Sequence, residues 1–189
     1  MNKMKYVLAC SFLLFFGLSA FSQTKPTDYK TVADVFNASL SNVEREFVSA
    51  AEAMPADKYS YAPTNGEFKG VRTFALEVRH VASANYEFAS VILGEKNPVE
   101  MGSEENGSEN LKSKDEIVKY LKDSFVYLHK AMDSLNEQNL VTPMKSPWGK
   151  NTITRLQIAI LAASHPFDHY GQMVEYLRAN SIVPPASRR

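Results

Sequence analysis

Four stretches of the chain repeat apolar residues at steps of three and four, the spacing that lines one face of a helix. In Thr31–Met54 the stripe is Val32, Phe36, Leu40, Val43, Phe47, Ala51 and Met54, and Pro55 ends it. From about Val71 to Leu93 it is Phe74, Val78, Val81, Phe88 and Ile92, with Gly94 as the stop. Ser113-Lys114-Asp115-Glu116 is a capping box, and Ile117, Leu121, Phe125, Leu128, Met132 and Leu135 follow it. The fourth stretch starts at a cap on Thr152 or Thr154 and runs to about Asn180, with Ile158, Leu161, Ala162, Met173 and Tyr176 on one face. Ala56–Gly70 and Asn136–Lys150 carry Pro and Gly and read as loops, and nothing reads as a strand. The pattern predicts an all-α chain folded as a four-helix bundle.

Two places depart from this simple plan. Gly94–Lys112 is polar and has no apolar period, although long unstructured loops are rare in compact domains. A crossover along the bundle accounts for it, since an extended residue covers roughly 3.3 Å and a helical one about 1.5 Å. Pro166 falls inside the fourth helix, where its ring meets the carbonyl of Ala162, and a kink is expected there.

Composition narrows the function. Met1–Lys5 is basic, Tyr6–Ala20 is nearly all apolar, and Ala20-Phe21-Ser22 is a small-x-small cleavage site. Residues 1–22 therefore read as a signal peptide. The remainder, 23–189, reads as one domain exported to the periplasm or the cell exterior, with no membrane span once the leader is cut. Cleavage also removes Cys10, the only cysteine, and with it thiol nucleophiles, thiolate ligands and disulfides. Loss of Lys3 and Lys5 from the 21 basic side chains leaves two fewer than the 21 acidic ones. Without a dense basic tract, nucleic acid is not an expected partner.

The chemistry sits near the C-terminal end. His165 and His169 are spaced i and i+4, which stacks both imidazoles on the inner face of the fourth helix. Such a pair is either half of a metal site completed by another helix or two core histidines satisfied by hydrogen bonds. By helical phase, Glu77 and Asp168 are candidate acid–base groups, though each reads more readily as a solvated carboxylate or a partner for a histidine. Gln172 shares the ligand face and is a candidate for orienting ligand or substrate. His129 reads as a partly exposed surface residue, and Glu104-Glu105-Asn106-Gly107 as a solvated loop.

Taken together, His165-x3-His169-x-Gly171-Gln172, Tyr176-Leu177-Arg178 and Ile182-Val183-Pro184-Pro185 resemble the C-terminal signature of the DinB-like (damage-inducible protein B, YfiT-like) superfamily. Ala62–Phe68, Val71-Arg72-Thr73-Phe74 and Pro147-Trp148-Gly149 resemble its upstream segments. The resemblance implies an up-down-down-up bundle holding a divalent metal on His80, His165 and His169. Many relatives carry a histidine where this chain has Asp168. The family includes metal-dependent hydrolases and thiol-dependent transferases, many of them homodimers. Three imidazoles suit zinc, nickel or ferrous iron, with zinc or nickel preferred. A metal-dependent hydrolase acting on a small-molecule substrate is the expected activity. The alternatives are a thiol-dependent transferase and a non-catalytic metal-binding or stress-related bundle. Export counts against the transferase, because small thiols serve mainly inside the cell.

Overall fold

A computed structural model describes residues 28–188. The proposed leader, its cleavage site and Cys10 lie outside the described residues. Four long helices carry the fold: α1 (Val32–Ala53), α2 (Phe74–Leu93), α3 (Lys114–Asp133) and α4 (Arg155–Ala179). Among the described residues, no helix is long and apolar enough to cross a membrane.

Each helix starts where its side chains can take up the free N–H groups of the first turn. Thr31, Ser113 and Thr154 form reciprocal capping boxes with Asp34, Glu116 and Gln157. Thr73 caps α2 by accepting from Leu76 N, so this helix begins at Phe74, the first residue of its apolar stripe, rather than at about Val71. The carbonyls of Tyr61 and Tyr59 reach back to Phe74 N and Ala75 N, both at 2.8 Å. That is why the segment before α2 holds to its end although it is neither helix nor strand. Gly94 ends α2 in the left-handed conformation, where the absence of a Cβ removes the steric cost.

Contacts between helices fix the topology. Lys114 Nζ, at the start of α3, donates to the carbonyls of Glu52 and Met54 at the end of α1. His129 and Asp133, near the end of α3, meet Asn37 near the start of α1, so these helices are antiparallel. Asn85 donates to Ser124 Oγ at 3.1 Å, while Glu95 meets Tyr127 and Lys130 farther along both helices. Helices α2 and α3 therefore run parallel. Arg155 reaches the Ile92 carbonyl, and Tyr176 reaches that of Arg72, so α4 runs against α2. The order is up-down-down-up, and the 94–113 segment is the crossover that a parallel middle pair requires.

Phe47, Phe74, Phe125, Leu128 and Met173 are fully buried where the four apolar stripes meet. Leu161 departs from the expected face and is 37% exposed. The buried side of α4 passes through Ile158, Ala162 and His169, and Leu161 sits at its edge. One further correction concerns backbone. Pro143–Lys145 (β1) and Thr152–Thr154 (β2) pair antiparallel, with Met144 opposite Ile153, where only loop was expected. Three residues per strand are too few for an alternating pattern to show in sequence. Helix α4 runs through Pro166 as one 25-residue helix, with the proline buried. The missing proline N–H costs the helix one backbone hydrogen bond at that point.

Candidate metal centre

The centre forms where α2 and α4 cross side by side. His80 lies two turns inside α2, and His165 and His169 lie one turn apart on α4. His80 Nε2 is 3.3 Å from His165 Nε2, and His169 Nε2 is 3.1 Å from the same atom. One nitrogen of each ring falls within 4.8 Å of the others. His80 and His169 are buried, whereas His165 is only partly so, and the edge of Phe88 covers its ring at 5.5 Å between centroids.

The outer nitrogens decide what the inner ones can do. His80 Nδ1 lies 3.1 Å from the Glu105 carbonyl, which only accepts, so this nitrogen carries the proton. His169 Nδ1 lies 2.5 Å from Oε2 of Glu77, a carboxylate buried to 2% exposure. Both rings therefore carry a proton on Nδ1 and turn Nε2 toward His165 Nε2. One proton on His165 can satisfy only one of the two. His165 Nδ1 is itself buried without a hydrogen-bond partner among the described residues. The cluster is thus short of positive charge at its centre, which argues against three core histidines satisfied by hydrogen bonding. A cation about 2.0–2.1 Å from each nitrogen, the usual zinc–imidazole distance, is compatible with His165 Nε2 lying 3.3 and 3.1 Å from the other two. The donor set fits a divalent metal.

Burial keeps the lone pairs free. It lowers the His80 pKa to about 4, helped by the nearby Arg72 guanidinium and by His169. It lowers that of His165 to about 3, helped by His169 and His80. Both values lie below the ordinary 6.5, so the unfolded chain takes up protons first as pH falls. The stability of metal-free protein is expected to be full above about pH 6.5 and to decline toward pH 4, levelling off once the folded rings also protonate. Urea midpoints of chelator-treated protein at pH 7.5 and 5 check this. A higher midpoint at pH 5 would contradict neutral buried rings.

The other residues singled out in the sequence separate clearly. Glu77 reaches the centre through His169. Asp168 is exposed, and no hydrogen bond joins it to the three rings. Gln172 is partly buried, one turn beyond His169, and lines a cavity of about 460 Å³ with Tyr61, Phe68, Val71 and Tyr176. His129 is partly exposed as expected, and it bridges Asn37 and Glu44 of α1 at 2.6 and 3.0 Å. Two participants were missed. The Glu104–Gly107 tract, expected to be a solvated loop, supplies the carbonyl that holds His80. Arg72 is anchored to that tract through Asn106 Oδ1 at 2.7 Å and the Glu104 carbonyl at 3.1 Å. The only sequence signal was the pair of glycines, Gly102 and Gly107, bracketing the tract.

A family model described as the DinB superfamily matches residues 39–173. Among solved structures, a DinB-like protein of Bacillus cereus matches with a TM-score of 0.65 at 16% identity, covering 83% of this chain and 97% of its own. A DinB-like protein of Bacillus subtilis gives 0.59 at 18% identity over 82% and 99% of the two chains. A conserved protein of Enterococcus faecalis gives 0.64 at 15% over 79% and 97%. At such identities the likeness establishes a shared fold. No curated protein matches the chain.

Proposed function

Because the chain belongs to the DinB superfamily, we propose that His80, His165 and His169 hold a divalent metal and that the protein is a metal-dependent hydrolase of a small molecule. The observation that carries this reading is the meeting of three Nε2 atoms, two of them aimed by partners on their outer nitrogens. Three protein ligands leave room for water or substrate, the arrangement of catalytic rather than structural sites. A divalent cation held there would supply Lewis acidity and lower the pKa of water toward neutrality.

The chain's own residues have separable tasks in this reading. Glu77 and the Glu105 carbonyl orient two rings by holding their Nδ1 protons, so that both Nε2 atoms face the centre. Phe88 shields the side of His165, and Trp148 packs edge-on against Phe88 at 6.1 Å. The cavity beside Gln172 is within the usual size range for small ligands and lies one turn from His169. It would take the apolar part of a substrate against Tyr61, Phe68 and Tyr176, with the Gln172 amide as a polar contact.

A panel of ester, amide and phosphoester substrates, run with and without added thiol on metal-loaded protein, tests the activity. Turnover without thiol is the expected result. Turnover only with thiol would replace the hydrolase with a transferase. A stoichiometric metal with no turnover on any substrate would favour a non-catalytic binding protein.

A further inference from the structure

We propose that the turn Met101–Gly107 is a positioning clamp for His80, in which a backbone carbonyl selects the ring nitrogen offered to the centre and Arg72 pins the turn in place. The inference rests on reading the three histidines as a metal centre.

The turn is built so that it can close in only one way. Gly102 has φ 69° and ψ −177°, a combination open essentially to glycine. A Cβ there would stand 2.0 Å from the Gly107 carbonyl oxygen, so backbone blocks every side chain. Gly107 N donates to the Met101 carbonyl at 2.7 Å, and Asn106 N donates to that of Ser103 at 3.0 Å. Between them, Glu104 (φ 52°) and Glu105 (φ 59°) are both left-handed without being glycine. Such strain persists only where the surroundings over-determine it, and it concentrates at functional sites. Here its product is the Glu105 carbonyl lying 3.1 Å from His80 Nδ1.

Two arginines hold the turn, Arg72 just before the cap of α2 and Arg79 within the helix beside His80. Arg72 donates through Nε to Asn106 and through Nη2 to the Glu104 carbonyl, and Arg79 donates through Nη2 to the Gly107 carbonyl at 3.0 Å. The side chains of Glu104 and Glu105 are exposed, so the group acting on the ring is main chain. A carbonyl cannot donate and does not titrate in the working range. It therefore holds the proton on Nδ1, and the lone pair on Nε2, wherever the ring is neutral. Arg72 is a positioning residue in this arrangement, acting through the turn.

Gly102→Ala and Arg72→Met test the clamp, the second without introducing backbone strain. Nitrogen-15 NMR of metal-free protein reads the tautomer of each histidine, and competition against a chelating dye reads zinc affinity. Wild type is expected to show the His80 proton on Nδ1. Both variants should lose that fixed tautomer and weaken zinc about 10–100-fold, as removal of a ligand's supporting partner typically does. The Nδ1 proton of His169 on Glu77 should stay, which separates loss of the clamp from general loosening. If Gly102→Ala fails to fold, Arg72→Met decides. Wild-type His80 with its proton on Nε2 overturns the proposal. So does Arg72→Met with an unchanged tautomer and zinc affinity within twofold. A wild type that binds no zinc would instead refute the metal centre, and the tautomer measurement would still decide the clamp.

Discussion

His169→Ala is expected to abolish stoichiometric metal binding and to cost roughly 3–5 kcal/mol of stability in the same step. Removing one of three ligands leaves a two-imidazole site. The stability loss has a different origin. Glu77 is 2% exposed and, among the described residues, its carboxylate hydrogen-bonds only His169 Nδ1, so truncation strands an acidic group in the core. Breaking a buried ionic or charge-assisted pair from one side typically costs about 3–5 kcal/mol. His80→Ala should lose the metal with a smaller fall in stability, because it strands only the carbonyl of a residue in a surface turn. Elemental analysis of protein purified without chelator, with urea denaturation alongside, separates the two effects. The double variant His169→Ala/Glu77→Gln should regain stability but no metal. One equivalent of metal retained by His169→Ala would remove this ring from the ligand set.

Glu77→Gln alone is expected to weaken metal binding by about 10–100-fold, equivalent to about 1.4–2.7 kcal/mol, while the fold persists. The amide matches the carboxylate in volume, so the packing around it survives. Its charge does not, and the imidazole loses a charge-assisted hydrogen bond that orients it. The amide can also turn its NH2 group toward the ring, so the tautomer of His169 is no longer imposed. Glu77→Asp should be no milder, since a side chain shorter by one methylene draws back from a contact now at 2.5 Å. Competition titrations with a chelating dye give the ratio directly. Unchanged affinity in Glu77→Gln would show that the contact does not tune the ligand.

Much of this was legible in the residues because each signal was local. The capping boxes at Thr31, Ser113 and Thr154 and the apolar stripes are patterns within about one helix length, and they placed four helices to within a few residues. The His165–His169 pair is visible for the same reason. Glu77 was recognisable as a carboxylate on the right helix, but its role depends on His169, 92 residues away, and spacing carries no such information. The Glu105 carbonyl was invisible for a stricter reason. A main-chain oxygen has no letter of its own, and two glutamates beside glycines look like solvent-facing loop. The β1–β2 hairpin escaped because its strands are shorter than one full alternation.

That hairpin places the chain's only tryptophan at the centre's door. Trp148 donates from its indole nitrogen to Glu87 Oε1 at 3.0 Å and abuts Phe88, whose other edge meets His165. Fluorescence excited at the red edge of protein absorption comes from this one indole, two rings from the triad. Open-shell ions such as nickel quench an excited indole at short range, whereas zinc, with its filled d shell, has no low-lying states to do so. The molecule thus carries an intrinsic optical label through which metal titrations can be followed without a dye.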